Sequence, residues 1–451
     1  MKKFTDAISV IADRSASHEA LHLKRGEKKM EKHTQHPHSF APGHWMPRDR
    51  KTLIEWMRKI MDKADKCDKP LLPVVENLKH FIENDAKAYM FFNQMFDEVP
   101  ASKRETLTGL PQVRDYHHML KLFNVILTHA PDFDETGFVG FPFNAILDWS
   151  MATEGGWAGF IDEKINAHIK AILDQWGRFL KSADSAYVLN ADPRSGWFGE
   201  DAHKAMPDFT KDFVCDPSQP HYGFKSWDEF FVRKFRPGVR PVASPDDDSI
   251  VVNACESAPF ALATNVKMRD KFWIKAQPYA LQFMLNNDPR AAHFAGGTIY
   301  QAFLSALSYH RWHAPVSGRI VKTAVIPGTY YSEARSVGFD PLAPNDSQGY
   351  ISELATRAVI YIEADNPDIG LMCFVAIGMA EVSTCEITVY DGQHVNKGDQ
   401  TGMFHFGGST HCLLFGPHVD IEFDLHGQTP GLDTHNINVN EKIATVRKRK
   451  N

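Results

Sequence analysis

The sequence predicts an α+β protein, helical first and β-rich afterwards. Apolar residues recur at helical spacing between residues 46 and 185. From about residue 249, short β-branched and aromatic runs take over, punctuated by Gly, Pro, Asn and Asp. At 451 residues the chain is also too long for one ordinary core, so more than one domain is expected.

Composition narrows the class. Hydrophobic residues at 43% and charged residues at 24% describe a soluble globular protein. A net charge of -6 gives no reason to expect nucleic acid or an anionic membrane as partner. Six cysteines (Cys67, Cys215, Cys255, Cys373, Cys385, Cys412) are scattered without a CxxC pair. They read as reduced thiols of a cytoplasmic protein, not as a disulfide frame or a zinc site. The apolar run near the N-terminus is bracketed by Asp6 and Asp13 and is too short for a secretory signal. The most apolar window elsewhere, Ile369 to Ala380, suits a buried strand and not an integral membrane segment.

Taken in order, residues 1–45 form a polar arm. Its histidines (His18, His22, His33, His36, His38, His44) are irregularly spaced, which favours a loosely docked arm over a metal-binding tract. A helical domain is expected over residues 46–185. Its stripes are Leu53, Ile54, Met57, Ile60 and Met61, then Val74, Val75, Leu78, Phe81 and Ile82. A third runs through Met90, Phe91, Gln94, Met95 and Phe96, and a fourth from Val113 to Leu127. The clearest is Phe160, Ile161, Ile165, Ile169, Ile172, Leu173, Trp176 and Leu180, read as one uninterrupted face. Asp132–Gly140 and Glu154-Gly155-Gly156 are expected to be loops.

Residues 186–245 connect the two parts. Asp192–Trp197 reads as a turn, and Ser226 as the N-cap of a short helix, with Glu229 three residues on. Arg233, Lys234, Arg236 and Arg240 follow. Such a cluster can bind phosphate or carboxylate, but pairing with acidic neighbours on a solvated face is the plainer reading. The last domain, 246–451, contains the strand candidates Ile250–Val252, Thr298–Tyr300, Arg319–Val325, Ala358–Glu363, Leu371–Ala376, Glu386–Tyr390 and Val419–Phe423. Within it, His313–Ile320 and Gly392–Asp399 resemble the opening and the later turn of a lipoyl/biotinyl-type half-barrel. No lysine stands at a hairpin tip between them, so the geometry is expected without the carrier function.

The stretch that concentrates chemistry is Phe404-His405-Phe406-Gly407-Gly408-Ser409-Thr410. Two glycines free the backbone just before a serine, and apolar residues bracket it. A serine on a strained peptide in a buried sheet can attack the carbonyl behind it if a base takes its proton. The alternative is a glycine bulge or hairpin turn in a buried strand. Partners could come from Ser308–His313, from Asn253–Ser257 with Glu256, or from Met379–Glu386. His-x-x-His at 310 and 313 has no acidic ligand at a convincing spacing, so no metal site is expected. Sequence alone does not join a serine, a histidine and a carboxylate so far apart.

Trp227–Pro237 (WDEFFVRKFRP), Tyr309–Pro315 (YHRWHAP), Pro327–Tyr330 and Gly408-Ser409-Thr410 together resemble the phosphatidylserine decarboxylase family of pyruvoyl enzymes. They come in family order over about residues 220–420. Further pieces, including Ala254–Ser257, Leu285–Pro289 and Met403–Ser409, resemble the family's soluble branch, which includes fungal L-tryptophan decarboxylases.

The resemblance implies self-cleavage between Gly408 and Ser409. Ser409 would attack the Gly408 carbonyl to give an ester, and β-elimination and hydrolysis would leave a covalent pyruvoyl group at the new N-terminus. By family match His313 is the base for this step. The family's usual aspartate partner is here Glu256, one methylene longer, orienting His313. The pyruvoyl group would take the substrate amine as a Schiff base and accept the electrons released with CO2, without PLP. His310 is implied in protonating the α-carbon or binding the carboxylate. A small-molecule amino acid, an aromatic one of the L-tryptophan kind, is the substrate that the resemblance implies. Two other readings stand beside it, a phosphatidylserine decarboxylase acting on lipid and a non-catalytic binding protein on the same scaffold. The oligomeric state is unknown from sequence.

Overall fold

A computed structural model describes residues 50–101, 112–133, 141–270, 279–304, 307–335, 347–382 and 384–448. The expected polar arm, most of the loop expected over Asp132–Gly140 and Ser383 lie outside them.

The helical part opens with α1 (Arg50–Asp65), α2 (Pro73–Asn84), α3 (Ala86–Asp97) and α4 (Tyr116–Ile126). Side chains that prefer caps start the later helices. Asp85 accepts from the Lys87 and Ala88 N–H groups, and Asp115 from His118 N–H. Then come α5 (Pro142–Met151), α6 (Glu154–Phe160) and α7 (Glu163–Leu180). The α7 stripe is buried as expected at Ile165, Ile169, Ile172, Leu173, Trp176 and Leu180.

Two expectations fail here. The face from Phe160 to Leu180 is not continuous: Asp162 caps a new helix, and Ile161 at the junction is 38% exposed. Glu154-Gly155-Gly156 is not a loop but the first turn of α6, capped by Thr153. Its glycines permit close packing, Gly155 on α3 and Gly156 on the end of α5. A Cβ on Gly155 would stand 2.6 Å from Met95 N, and one on Gly156 would stand 1.8 Å from Ser150 O. Glycine mid-sequence marked a helix–helix contact, not a break.

In the connecting region, α8 (Trp227–Phe231) is capped as read, with the Ser226 hydroxyl accepting the Glu229 N–H at 3.1 Å. The arginine cluster divides: Arg240 pairs with the acidic neighbours Glu256 and Asp212, as read, whereas Arg233 and Arg236 turn to backbone carbonyls and not to a solvated face. Arg233 is 3% exposed and donates to the Leu307 carbonyl at 2.7 Å. Arg236 donates to the Thr210 and Cys215 carbonyls. These guanidiniums hold irregular chain together by satisfying backbone oxygens that no strand or helix reaches.

The β-rich part contains β1 (Ile250–Val252), β2 (Ala258–Thr264), β3 (Thr298–Leu304), β4 (Arg311–His313), β5 (Gly318–Ile326), β6 (Arg357–Ala364), β7 (Leu371–Met379), β8 (Cys385–Ile387), β9 (His394–Val395), β10 (Gln400–Phe404), β11 (Gly408–Phe415), β12 (Ile421–Phe423) and β13 (Lys442–Val446). Antiparallel pairing gives one seven-stranded sheet, in the order β2-β3-β11-β7-β6-β5-β9. Two three-stranded sheets, β1-β13-β12 and β4-β10-β8, accompany it. The two half-barrel segments meet: Gly318 pairs with Val395, and the Gly398 N–H donates to the Ala314 carbonyl at 2.8 Å. Lys397 in that turn is tied to the carbonyls of Ser244, Asp247 and Ile250.

The strand pleat sorts side chains to two cores. On one face of the large sheet Ile299, Phe303, Val375, Ile377, Cys412 and Leu414 join the core of the helices. On the other, Tyr300, Ala302, Phe374, Ala376, Leu413 and Phe415 pack with Trp312, Phe404 and Ile443 from the small sheets. The large sheet is thus the middle of three layers. The described residues form one compact unit.

Candidate active site

The middle sheet positions Ser409. It is the second residue of β11, paired across to Leu304 on β3 and Gly378 on β7. Its exposure is 0%, and its Oγ has no hydrogen-bond partner. An unpaired buried hydroxyl costs about 1–3 kcal/mol, so no hydrogen bond to the fold holds the Ser409 Oγ in place. Thr410 beside it is satisfied, donating to the Ala302 carbonyl at 2.9 Å and accepting from Gln301 at 3.2 Å.

The glycine pair has a steric reason. Gly407 has φ +127°, and a Cβ there would stand 2.5 Å from Val382 Cγ2 and 2.8 Å from Val382 N. The chain reaching the Gly408–Ser409 bond therefore runs tight against the segment after β7. The bulge or turn expected as the alternative is instead the entry to a central strand.

His313 ends β4, and its backbone N–H donates to the Ala254 carbonyl at 2.8 Å. Its Nδ1 lies 2.7 Å from the Gly398 carbonyl oxygen, which can only accept, so Nδ1 carries the proton. Nε2 is then the basic atom, and it accepts from the Tyr309 hydroxyl at 2.9 Å. Burial lowers its pKa below the usual imidazole value, so the ring is neutral at pH 7.

Glu256 does not hydrogen-bond His313. Its carboxylate takes Arg240 at 2.8 Å and the Val439 N–H at 2.7 Å. Burial pushes its pKa up, and Arg240 opposes this. Its connection to His313 runs through the backbone, by way of the Ala254 carbonyl.

His310 is 0% exposed and stacks on Phe231 at 4.0 Å. Neither ring nitrogen makes a hydrogen bond that meets ordinary geometry, although the nearby Ser308 backbone favours the cation slightly. Burial, reinforced by the Arg233 charge, drives its pKa well below normal, so it too is neutral. No hydrogen bond joins Ser409 to His310, His313 or Glu256.

Sequence reasoning missed three features. Phe406 sits among rings, with Trp176 at 4.3 Å, Trp227 at 4.7 Å, Phe231 at 5.7 Å and Phe141 at 6.3 Å. His405 bridges Asp228 at 3.0 Å and Glu386 at 2.8 Å. Beside them is a cavity of about 220 Å3 whose lining includes Trp176, Asp228, Glu381, Thr384, His405 and Phe406. The amphipathic α7 and the capped WDEFF helix carried these rings openly, but nothing local showed that they converge on Phe406.

Comparisons with known proteins agree along the chain. Family profiles described as phosphatidylserine decarboxylase match residues 72–206 and 227–445. The L-tryptophan decarboxylase of Psilocybe cubensis is 36% identical over an aligned length of 436 residues, including gaps, that covers 91% of this chain and 96% of that protein. That of Psilocybe cyanescens is 38% identical over 439 residues, with shares of 91% and 96%. The decarboxylase iboD of Amanita muscaria is 45% identical over 302 residues, covering 63% of this chain and 86% of its own length.

Proposed function

Because the chain belongs to the phosphatidylserine decarboxylase family, and is thereby a pyruvoyl-type decarboxylase and a carboxy-lyase, we propose that it matures by cleaving itself at Gly408–Ser409 and decarboxylates a free aromatic amino acid such as L-tryptophan. The observation that carries the substrate assignment is the box of rings around Phe406, two residues before the proposed scissile bond. The similarity to the two L-tryptophan decarboxylases takes in 91% of the chain in each case. Among the described residues no helix is long and apolar enough to cross a membrane. The free cysteines support a reducing, cytoplasmic setting.

The residues present fit a pyruvoyl group made from Ser409. It needs a hydroxyl free to attack and a preceding backbone without side-chain bulk, and the unpaired Oγ and Gly407-Gly408 supply both. The Ser409 oxygen attacks the Gly408 carbonyl, and the peptide nitrogen takes up a proton as the ester forms. β-Elimination leaves residues 1–408 ending in a Gly408 carboxylate. Addition of water and loss of ammonia complete the new N-terminus. His313 removes the Ser409 proton through Nε2, which requires the ring to turn from the Tyr309 hydroxyl. Glu256 positions His313 by fixing the strand end whose Ala254 carbonyl anchors it.

The pyruvoyl group supplies the electron sink for loss of CO2. His310, neutral and dry, donates one N–H to the substrate carboxylate. A single hydrogen bond in an apolar site holds the carboxylate without opposing the dispersal of its charge as CO2 leaves. The test is direct. Matured protein is assayed without added PLP against L-tryptophan, L-phenylalanine, L-tyrosine and liposomal phosphatidylserine, with amines identified by mass. An aromatic amine is the expected product. Phosphatidylethanolamine without any aromatic amine would contradict the proposal and favour the lipid reading.

A further inference from the structure

On the helical side of the sheet, beside Phe406 and Gly407, several buried polar atoms lack partners. Glu381 follows β7 and is 2% exposed. Its Oε1 accepts the Asn144 N–H at 2.8 Å, in the first turn of α5, but its Oε2 is unpaired. Asn144 is 1% exposed, and neither end of its side-chain amide is bonded. The Tyr331 hydroxyl is also buried and unpaired. Burial, and after it the Glu381 charge, raises the Tyr331 pKa. Burial raises the Glu381 carboxyl to about 8 against the pull of three backbone N–H groups, so near neutral pH a ligand N–H that favours the anion can find it as an acceptor.

The position of Glu381 is fixed relative to the reacting centre. Met379 pairs with Gly408 across β7 and β11, and Glu381 lies two residues beyond. Its carbonyl carbon is 3.3 Å from where a Gly407 Cβ would stand. It lines the same cavity as Trp176 and Phe406. Aromatic side chains beside a carboxyl with a free oxygen complement a flat ring that carries a polar hydrogen on its edge, and Asp228 in the same lining is already bound to His405. In an aromatic amino acid that atom is remote from the α-carbon, so its partner must also be remote from Ser409.

We propose that Glu381 is a specificity-determining residue, whose free carboxyl oxygen, supported by Asn144, hydrogen-bonds the ring N–H or O–H of an aromatic substrate. The assignment rests on the reading that the substrate is a free aromatic amino acid. A phenylalanine ring leaves the buried carboxyl unpaired, the situation in which hydrogen-bonding sites discriminate most strongly.

The test compares ratios. With wild type, kcat/KM for L-tryptophan should exceed that for L-phenylalanine at least about tenfold. Glu381→Leu should lower the tryptophan value about 100-fold and leave phenylalanine within about threefold, collapsing the ratio. A merely structural role would lower both together, and that result would overturn the assignment. Should Glu381→Leu fail to mature, calorimetry on matured wild type decides. Tryptamine should bind at least about tenfold more tightly than its ring N-methyl derivative, whereas equal affinities would overturn the assignment. If no aromatic amino acid is decarboxylated, the substrate reading itself fails, and Glu381 loses its role with it.

Discussion

His313 holds its proton on Nδ1 because the Gly398 carbonyl can only accept, and this leaves Nε2 as the base. General-base removal typically costs about 100- to 10,000-fold, so His313→Ala should slow self-cleavage by that order, followed as loss of full-length chain on gels. Tyr309→Phe should speed it, because it frees Nε2; slower cleavage in that variant would make Tyr309 part of the proton path. The pH dependence follows from the sign of the shift. A base acts when neutral, and burial holds the His313 pKa below 6.5. Cleavage should therefore stay flat through neutral pH and fall only in acid, below the range of an ordinary histidine. Ser409 and Gly407 were legible in sequence, since two glycines before a serine between apolar runs is an unusual local pattern. The partner of Glu256 was not. Arg240 lies 16 residues before it, inside a cluster whose other two arginines bind backbone carbonyls.

At the scale of elements, the approach to β11 depends on Gly407. An alanine there would meet Val382 and adopt a strained φ, at a cost of about 1–3 kcal/mol. Gly407→Ala should lower the melting temperature and impair maturation; a fully matured variant with unchanged melting temperature would refute the steric account. The link between α8 and β10 has a pH signature. Burial disfavours the His405 cation, but the hydrogen bonds and charge of Asp228 and Glu386 outweigh burial and the Lys181 charge, so its pKa is raised above 6.5. A raised pKa contributes stability fully present below the unfolded value and lost as pH climbs through the folded one. His405→Gln should therefore cost most stability near pH 6, with the gap from wild type narrowing at alkaline pH in urea melts. A gap that widens with pH would reverse the assignment. Most strands were readable from β-branched runs, whereas β11 was hidden by its own chemistry: Gly, Ser, Thr, His and Cys make a poor strand signal, and only its position between β3 and β7 makes it one.

At the scale of the molecule, helices and sheet share a core, and Phe406 is where they meet. Trp176 from α7, Trp227 and Phe231 from α8, and Phe141 before α5 all reach the residue that precedes Gly407-Gly408. Periodicity announced α1 to α4 and α7 with their buried faces but neither α5 nor α6, and it could not say which sheet face a stripe would cover, because convergence is a property of packing. The same packing explains why helices and catalytic strands belong to one account of function. The account stands on Gly408–Ser409 being a bond that the protein cuts. Intact-mass analysis of purified wild type and Ser409→Ala tests this most directly. Wild type should give a chain of residues 1–408 and a chain of residues 409–451 lighter by one ammonia than its sequence, with Ser409→Ala remaining a single full-length chain. Wild type found intact, yet decarboxylating amino acids, would contradict the account.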